Sequence, residues 1–75
     1  MATKKINFDK HIWEGWCVSD FITELEPSVR ELSSNGFFKS KEQMKKWVIS
    51  NQPFYKRYIP DVFNYFYQKY GNGIQ

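Results

Sequence analysis

The chain has 75 residues, of which 41% are hydrophobic and 20% aromatic, and its formal net charge is +3. A chain this short forms one small domain, and its aromatic content excludes the disordered class of proteins. Its single cysteine excludes an intrachain disulfide, and it has no apolar run long enough to cross a membrane. No signal-like apolar run occurs near the N-terminus. These observations predict a cytoplasmic protein without a membrane partner.

The charge is divided unequally along the chain. Residues 1–36 carry four basic and six acidic side chains, whereas residues 37–75 carry seven basic and two acidic ones. A partner could therefore meet either an acidic or a basic pole. Lys, Asn, Ile, Phe and Tyr are plentiful, which is typical of AT-rich genomes such as those of phages, plasmids and low-GC bacteria.

The first predicted helix begins near Asp9, after a flexible N-terminus of residues 1–8. Asp9 is suited to cap it, and the stripe that follows has helical spacing, with members Ile12, Trp13, Trp16 and Cys17. Gly15 interrupts this helix at a cost of up to ~1 kcal/mol relative to alanine.

The second predicted helix covers residues 19–34 and carries an apolar series made of Ile22, Leu25, Val29 and Leu32. Pro27 leaves two alternatives, a kinked continuous helix or a break with Pro27 in the first turn of a new helix. The unbroken periodicity favours the kinked helix. The pair Asn35-Gly36 predicts where it ends.

The third predicted helix covers residues 41–51, and its start is marked by the capping-box pair Ser40 and Gln43. Residues 53–59 are expected to form a short helical turn with Phe54 and Tyr58 facing inward.

The last predicted helix covers residues 60–70. Its apolar positions recur at i, i+3, i+4, i+7, i+8 and i+11, and they are Ile59, Val62, Phe63, Phe66, Tyr67 and Tyr70. Pro60 suits a first helical turn, and Gly71 suits a left-handed C-cap. A flexible tail, residues 72–75, follows.

Together these segments predict an all-α fold, a compact single-domain bundle of four or five short helices over residues 9–71. No stretch shows the strict alternation of a strand. The predicted aromatic-rich core contains Trp13, Trp16, Phe21, Leu25, Leu32, Trp47, Val48, Phe54, Phe63 and Phe66.

Neither a catalytic site nor a metal site is predicted. His11 and Cys17 are the only soft metal ligands in the chain, whereas a structural zinc site needs about four such groups. Cys17 lies on an apolar stripe, so it is interpreted as a small buried hydrophobe and not as a nucleophile. Phosphate-binding glycine motifs are absent. The chain is therefore predicted to be no enzyme and to bind no cofactor.

One candidate binding surface is an acidic face of the second helix. Asp20, Glu24 and Glu31 fall close together on a helical wheel, opposite the apolar series. Three interpretations remain for this acidic face: a solvated surface, a contact surface for a protein partner, or a pair of catalytic carboxylates.

The other candidate surface is the basic half of the chain. It combines cations that could bind phosphates or an acidic partner with tyrosines that could stack on bases, and its members are Lys41, Lys45, Lys46, Tyr55, Lys56, Arg57, Tyr65 and Lys69. Tyr65, followed by Tyr55, is the ring expected to be most exposed. The alternative is that these tyrosines line a small core and the lysines keep it soluble.

Two functions follow from these surfaces. The first is a small regulatory or inhibitory module that docks on a larger protein, since aromatic residues and arginine are the usual interface anchors. If the chain comes from a phage or mobile element, inhibition of a host enzyme would be a natural role. The second is a module that binds DNA or RNA through the basic half. Either a monomer or a homodimer is compatible with the sequence.

Overall fold

The computed structural model describes residues 5–71 and Ile74. These residues form a two-stranded antiparallel sheet and three helices, in the order β1 (His11–Trp13), β2 (Trp16–Cys17), α1 (Val18–Ser34), α2 (Lys41–Asn51) and α3 (Pro60–Tyr70). The predicted all-α bundle of four or five helices is therefore wrong. Most of the predicted flexible ends, namely residues 1–4, 72, 73 and 75, lie outside the described residues.

A β-hairpin replaces the predicted N-terminal helix. Glu14 and Gly15 both have positive φ angles, 46° and 81°, and such a two-residue turn matches the twist of the strands that it joins. The turn places Trp13 opposite Trp16, while His11 lies opposite Cys17. Ile12 is consequently an extra residue on β1, a bulge that hides the alternation expected of a strand.

The residues before β1 complete the start of α1. The backbone N–H of Val18 donates to the carbonyl of Lys10, and the N–H of Ser19 donates to that of Phe8, both at 3.0 Å. These N–H groups have no partner within the helix itself. The N-terminal segment thus fixes where α1 begins, which it could not do if a helix began near Asp9 as predicted.

Helix α1 is continuous through Pro27, so the alternative of a broken helix is wrong. It ends as Asn35-Gly36 predicts. Gly36 has a φ of +72°, and its N–H donates to the carbonyl of Ser33 at 3.1 Å, while the N–H of Phe37 donates to that of Leu32 at 2.9 Å. These two bonds are those of a Schellman motif, in which glycine takes the left-handed position.

Helix α2 covers the predicted residues and starts at the predicted cap. The Ser40 hydroxyl accepts a hydrogen bond from the N–H of Gln43 at 3.0 Å. The Gln43 side chain accepts in return from the N–H of Lys39 at 2.6 Å, one residue earlier than a capping box requires. The predicted position of α2 and its Ser40 cap are therefore confirmed, and only the backbone N–H that Gln43 binds differs from the predicted capping box.

Helix α3 begins at Pro60 and ends at Tyr70, as predicted, but the predicted role of Gly71 is wrong. Its φ is −82°, so it is not a left-handed C-cap. A Cβ atom at this position would clash with the backbone carbonyl oxygen of Tyr67 and would lie 2.7 and 2.9 Å from two of its ring carbons. Glycine is needed here because the carbonyl and the ring of Tyr67 leave no space for a side chain.

Residues 52–59 contain no helical turn, in contrast to the prediction for this segment. Phe54 and Tyr58, which were expected to face inward, are 52% and 43% exposed. The segment crosses between α2 and α3 as an irregular loop.

The core lies mainly where α1 packs on α3, with α2 contributing from one side. Twelve buried apolar side chains form it: Val18, Phe21, Ile22, Leu25, Val29, Phe38, Met44, Val48, Ile59, Val62, Phe63 and Phe66. Five of the ten predicted core residues are among them. Trp16, Leu32 and Trp47 are half-buried, whereas Trp13 and Phe54 are exposed and belong to a surface feature.

Within residues 5–71, no helix has the length and apolar character needed to span a bilayer.

Candidate functional site

The hairpin and the loop of residues 52–59 bring three aromatic rings together at the surface. We call Trp13, Trp16 and Phe54 the aromatic cluster. The Phe54 ring lies 5.0 Å from that of Trp13 and 4.8 Å from that of Trp16, centroid to centroid. Trp16 in turn packs at 5.1 Å on Phe21, which is fully buried. The cluster therefore rests on the core, although Trp13 remains 41% exposed.

Gln52 holds the loop that carries Phe54. Its side chain is fully buried, and its amide Nε2 donates to the carbonyls of Tyr55 at 2.6 Å and of Arg57 at 2.8 Å. A buried amide that holds two backbone carbonyls is costly to lose, since each carbonyl would then be left unpaired. One side chain thus fixes the path of the backbone on both sides of residue 56.

Phe54 itself has a left-handed backbone conformation, with φ of 43°. The N–H of Tyr55 donates to the carbonyl of Pro53 across this residue, which closes a tight turn. A non-glycine residue in this region is strained by about 1–2 kcal/mol, and such strain persists only where the surroundings impose it. Here the surroundings are the two tryptophan rings and the loop held by Gln52.

Two cations follow Phe54 closely in the chain. Lys56 and Arg57 are both exposed. In the part of the chain that the structure describes, the one ion pair joins Lys69 to Glu26, so neither Lys56 nor Arg57 has a carboxylate partner. The loop that carries Phe54 therefore bears two positive charges that form no ion pair with the described residues.

The cluster contains no pair of groups suited to acid–base or nucleophilic chemistry. Cys17, at the start of α1, is half-buried, and its thiol lies 3.3 Å from a carboxylate oxygen of Asp20 and 3.2 Å from the Ser19 hydroxyl. It is thus bonded to polar groups and is not enclosed in an apolar stripe. Among residues 5–71 and Ile74, no three His, Cys, Asp or Glu side chains lie close enough to hold a metal ion.

The acidic face predicted from the sequence lies on α1, and Asp20, Glu24 and Glu31 are all exposed. The Asp20 carboxylate stabilises the start of α1, because it accepts a hydrogen bond from the N–H of Cys17 at 2.9 Å. That backbone hydrogen bond, together with the Cys17 thiol, lowers the pKa of Asp20. Of these three residues, Glu24 and Glu31 have carboxylates without a partner among the described residues.

The carboxylate with the most contacts is Glu26, which the sequence analysis did not single out. One of its oxygens accepts from Lys69 at 2.7 Å, from the Tyr70 hydroxyl at 2.8 Å and from the Tyr65 hydroxyl at 3.2 Å. These four side chains, the Glu26 network, join α1 to α3. A signal was present, since Glu26 stands four residues after Ile22 and three before Val29, on the apolar side of the helix.

Ionisation in the Glu26 network follows from these contacts. Partial burial raises the pKa of Glu26, but hydrogen bonds from Lys69, Tyr70 and Tyr65 outweigh it and bring the net pKa below its ordinary value. The same carboxylate, followed by the Tyr65 hydroxyl, raises the pKa of Lys69. Glu26 is therefore a charged link between two helices.

The basic half is divided among α2, the loop and α3. Lys41 lies 5.0 Å from the ring centroid of Tyr67, and Lys45 lies 4.4 Å from that of Tyr58, distances typical of cation–π contacts. Lys69 belongs to the Glu26 network. Lys46, on α2, is exposed.

The two rings expected to be most exposed are half-buried. Tyr65 bonds to Glu26 and is covered by Phe8, whose ring lies 5.8 Å away. Tyr55 packs at 6.3 Å on the buried ring of Phe21. The structure therefore does not present Tyr55 and Tyr65 as open stacking platforms beside the lysines.

Comparison of the chain with protein-family models, with curated proteins and with solved structures finds no significant match.

Proposed function

We propose that this chain is a small non-enzymatic binding module, which docks on a larger protein through the aromatic cluster and regulates or inhibits that protein. The observation that carries the proposal is the pair Trp13 and Phe54, which pack on each other while 41% and 52% exposed. Large exposed aromatic side chains are the residues that most often anchor protein interfaces.

The support beneath these rings strengthens the argument. Trp16 and Phe21 back the exposed pair, and Gln52 fixes the loop. Rings that are already held in place lose little conformational entropy when a partner covers them. A partner that covers Trp13 and Phe54 also removes from water the part of each ring that is still exposed, about half of the roughly 150–250 Å² that a fully buried aromatic side chain contributes.

Backbone strain at Phe54 also favours a binding function. A buried core could use a phenylalanine with ordinary backbone angles, yet the strained φ of 43° leaves this ring half in solvent. Strained residues occur preferentially at binding and catalytic sites. The three rings of the cluster carry no titratable group, and binding is the function that their geometry supports best.

The test is affinity capture from a nuclease-treated lysate of the source cells. The baits are the wild-type chain, a Trp13→Ala/Phe54→Ala double variant, and Phe37→Ala as a matched control, since Phe37 is also 44% exposed but lies in the α1–α2 connection. We expect proteins that are retained by the wild type and by the control but lost from the double variant. Circular dichroism of each bait verifies that it is folded.

A further bait, Glu24→Lys, tests whether the acidic face also contacts the partner. Glu24 is preferred to Asp20 because Asp20 binds the start of α1. If no captured protein distinguishes the double variant from the control, the aromatic cluster is not the docking surface. Proteins lost only from the Glu24→Lys bait would assign docking to the acidic face instead.

A further inference from the structure

We infer that the aromatic cluster binds an acidic segment of its partner, in which a large apolar side chain is flanked by carboxylates. The inference rests on the proposed docking function and adds the chemistry of what is docked. Its basis is one short, fixed loop that carries the exposed ring of Phe54 together with the unpaired cations Lys56 and Arg57. The second exposed ring, that of Trp13, packs on Phe54 from the hairpin.

The position of the two cations is set by the backbone. Gln52 holds the carbonyls of Tyr55 and Arg57, so the backbone at residue 56 is fixed from both sides. Consecutive Cα atoms are about 3.8 Å apart, which places the Cα of Arg57 within about 11 Å of that of Phe54. A segment that covers Phe54 therefore comes within reach of both cations.

Three other lysines differ from these two, because each of them contacts a ring or a carboxylate. Lys41 and Lys45 lie over tyrosine rings, and Lys69 binds Glu26. Lys56 and Arg57 have neither contact within the described chain. Their charge is thus available for an incoming carboxylate, and arginine in particular binds carboxylates through two parallel hydrogen bonds.

The hairpin side carries charges of both signs. Lys10 is exposed there, and so are the carboxylates of Asp9 and Glu14. The carboxylate of Asp20 accepts from the N–H of Cys17. The excess of positive charge near the cluster is therefore that of Lys56 and Arg57 on the loop, and complementary charge on the partner segment that meets this loop would speed association.

The geometry favours a peptide segment over a nucleic acid. Single-strand binders stack successive bases on separate ring faces along a track of cations. Here Trp13 and Phe54 pack against each other with an interplanar angle of 38°, so that they partly cover one another. The arrangement fits one large apolar side chain with a few carboxylates beside it.

The test begins with a random 12-residue peptide library displayed on phage and selected on the immobilised full-length chain at physiological salt. We expect enriched peptides that place Asp or Glu within a few residues of Trp, Phe or Leu. Isothermal titration calorimetry then measures one enriched peptide against the variants. Lys56→Glu/Arg57→Glu should weaken binding at least about tenfold, as expected for charge reversal next to an apolar anchor.

The matched control is Lys5→Glu/Lys39→Glu, which makes the same change in net charge at exposed positions outside the loop and outside both candidate surfaces. Binding to this control should stay close to that of the wild type. An equal loss in both double variants would show a general charge effect and would overturn the inference.

Other outcomes separate the inference from the proposed function. Enriched peptides that depend on Trp13 and Phe54 but lack carboxylates would leave docking intact and refute the acidic segment. Tighter binding of a labelled 15-nucleotide oligothymidylate than of any peptide, lost in Lys56→Glu/Arg57→Glu, would replace the acidic segment by single-stranded DNA. Failure to enrich any peptide that depends on the cluster would contradict the proposed function itself.

Discussion

Two groups of aromatic rings in this small chain have similar spacing and opposite surroundings. At the α1–α3 interface, Phe66 is fully buried, and the hydroxyls of Tyr65 and Tyr70 bond to Glu26. In the aromatic cluster, Trp13 and Phe54 are exposed, and Phe54 has a strained backbone. In the first group the tyrosine hydroxyls are hydrogen-bonded and the Phe66 ring is buried. In the second group both outer rings, those of Trp13 and Phe54, remain exposed to solvent.

This difference indicates how a short chain uses a high aromatic content. Interface rings stabilise the fold, because burial removes their surface from water. The exposed rings gain little of that energy, and one of them is held in an unfavourable conformation. The aromatic residues are therefore divided between the α1–α3 interface, where they stabilise the fold, and the aromatic cluster, where they are exposed to a partner protein.

The largest expected contrast comes from the same substitution in the two regions. Phe66→Ala should lower the free energy of unfolding by about 3–5 kcal/mol, because it leaves a cavity in the core. Phe54→Ala should lower it by less than about 1 kcal/mol, because half of that ring is already in water. Urea denaturation followed by circular dichroism measures both. Equal losses would mean that the aromatic cluster is part of the core.

The next contrast concerns pH and the Glu26 network. The folded-state pKa of Glu26 lies below its ordinary value of 4.5, so the unfolded chain takes up the proton first as pH falls. The stabilisation is present above pH 4.5 and is lost as pH falls through the folded pKa. Glu26→Gln should lower stability by roughly 1–2 kcal/mol near neutral pH and should flatten the acid side of the profile.

Thermal melting between acid and neutral pH measures this effect. Glu24→Gln is the matched control, since it removes one charge from an exposed position of the same helix. Parallel profiles for the two variants would show that Glu26 contributes no more than a surface carboxylate.

An effect of similar size is expected in the hairpin. Gly15 has a φ of +81°, and a Cβ there would meet no atom within 4 Å, so Gly15→Ala adds only backbone strain of about 1–2 kcal/mol. The hairpin carries Trp13, and we therefore also expect weaker peptide binding. Urea denaturation and calorimetry would measure the two effects. Unchanged binding alongside lowered stability would show that Trp13 does not need the turn.

The smallest effect has the opposite sign. Glu14 has a φ of 46°, and asparagine tolerates this region better than glutamate, particularly before glycine in a two-residue hairpin turn. Glu14→Asn should raise the free energy of unfolding by up to about 1 kcal/mol and leave α1–α3 packing unchanged. A decrease in stability would mean that the Glu14 side chain has a role of its own.

Much of the helical part could be predicted from the sequence because its signals are local. Ser40 marks the start of α2, Asn35-Gly36 marks the end of α1, and Pro60 marks the start of α3. Each of these residues acts through its own backbone or through a residue a few positions away. No distant part of the chain changes their effect.

The hairpin and the aromatic cluster could not be predicted in the same way. The residues Ile12, Trp13, Trp16 and Cys17 fit a helical stripe, and the bulge at Ile12 hides the alternative. Glu-Gly is also a weaker turn signal than Asn-Gly. Phe54 is placed by Gln52 and by rings nearly forty residues earlier in the chain, and no local pattern contains that information. The same reason explains why Tyr65 was expected to be exposed, since Phe8 covers it.

The distribution of the three tryptophans has a practical consequence for spectroscopy. Trp13 and Trp16 belong to the aromatic cluster, whereas Trp47 packs on Phe38 at 5.8 Å on another side of the core. The tryptophan fluorescence of a Trp47→Phe variant, excited at wavelengths that tyrosine does not absorb, would therefore originate only from the cluster, and its emission would move to shorter wavelength when a partner excludes water from Trp13. The complementary variant with both cluster tryptophans replaced would report on unfolding alone. The chain thus carries separate optical probes for binding and for folding without any added label.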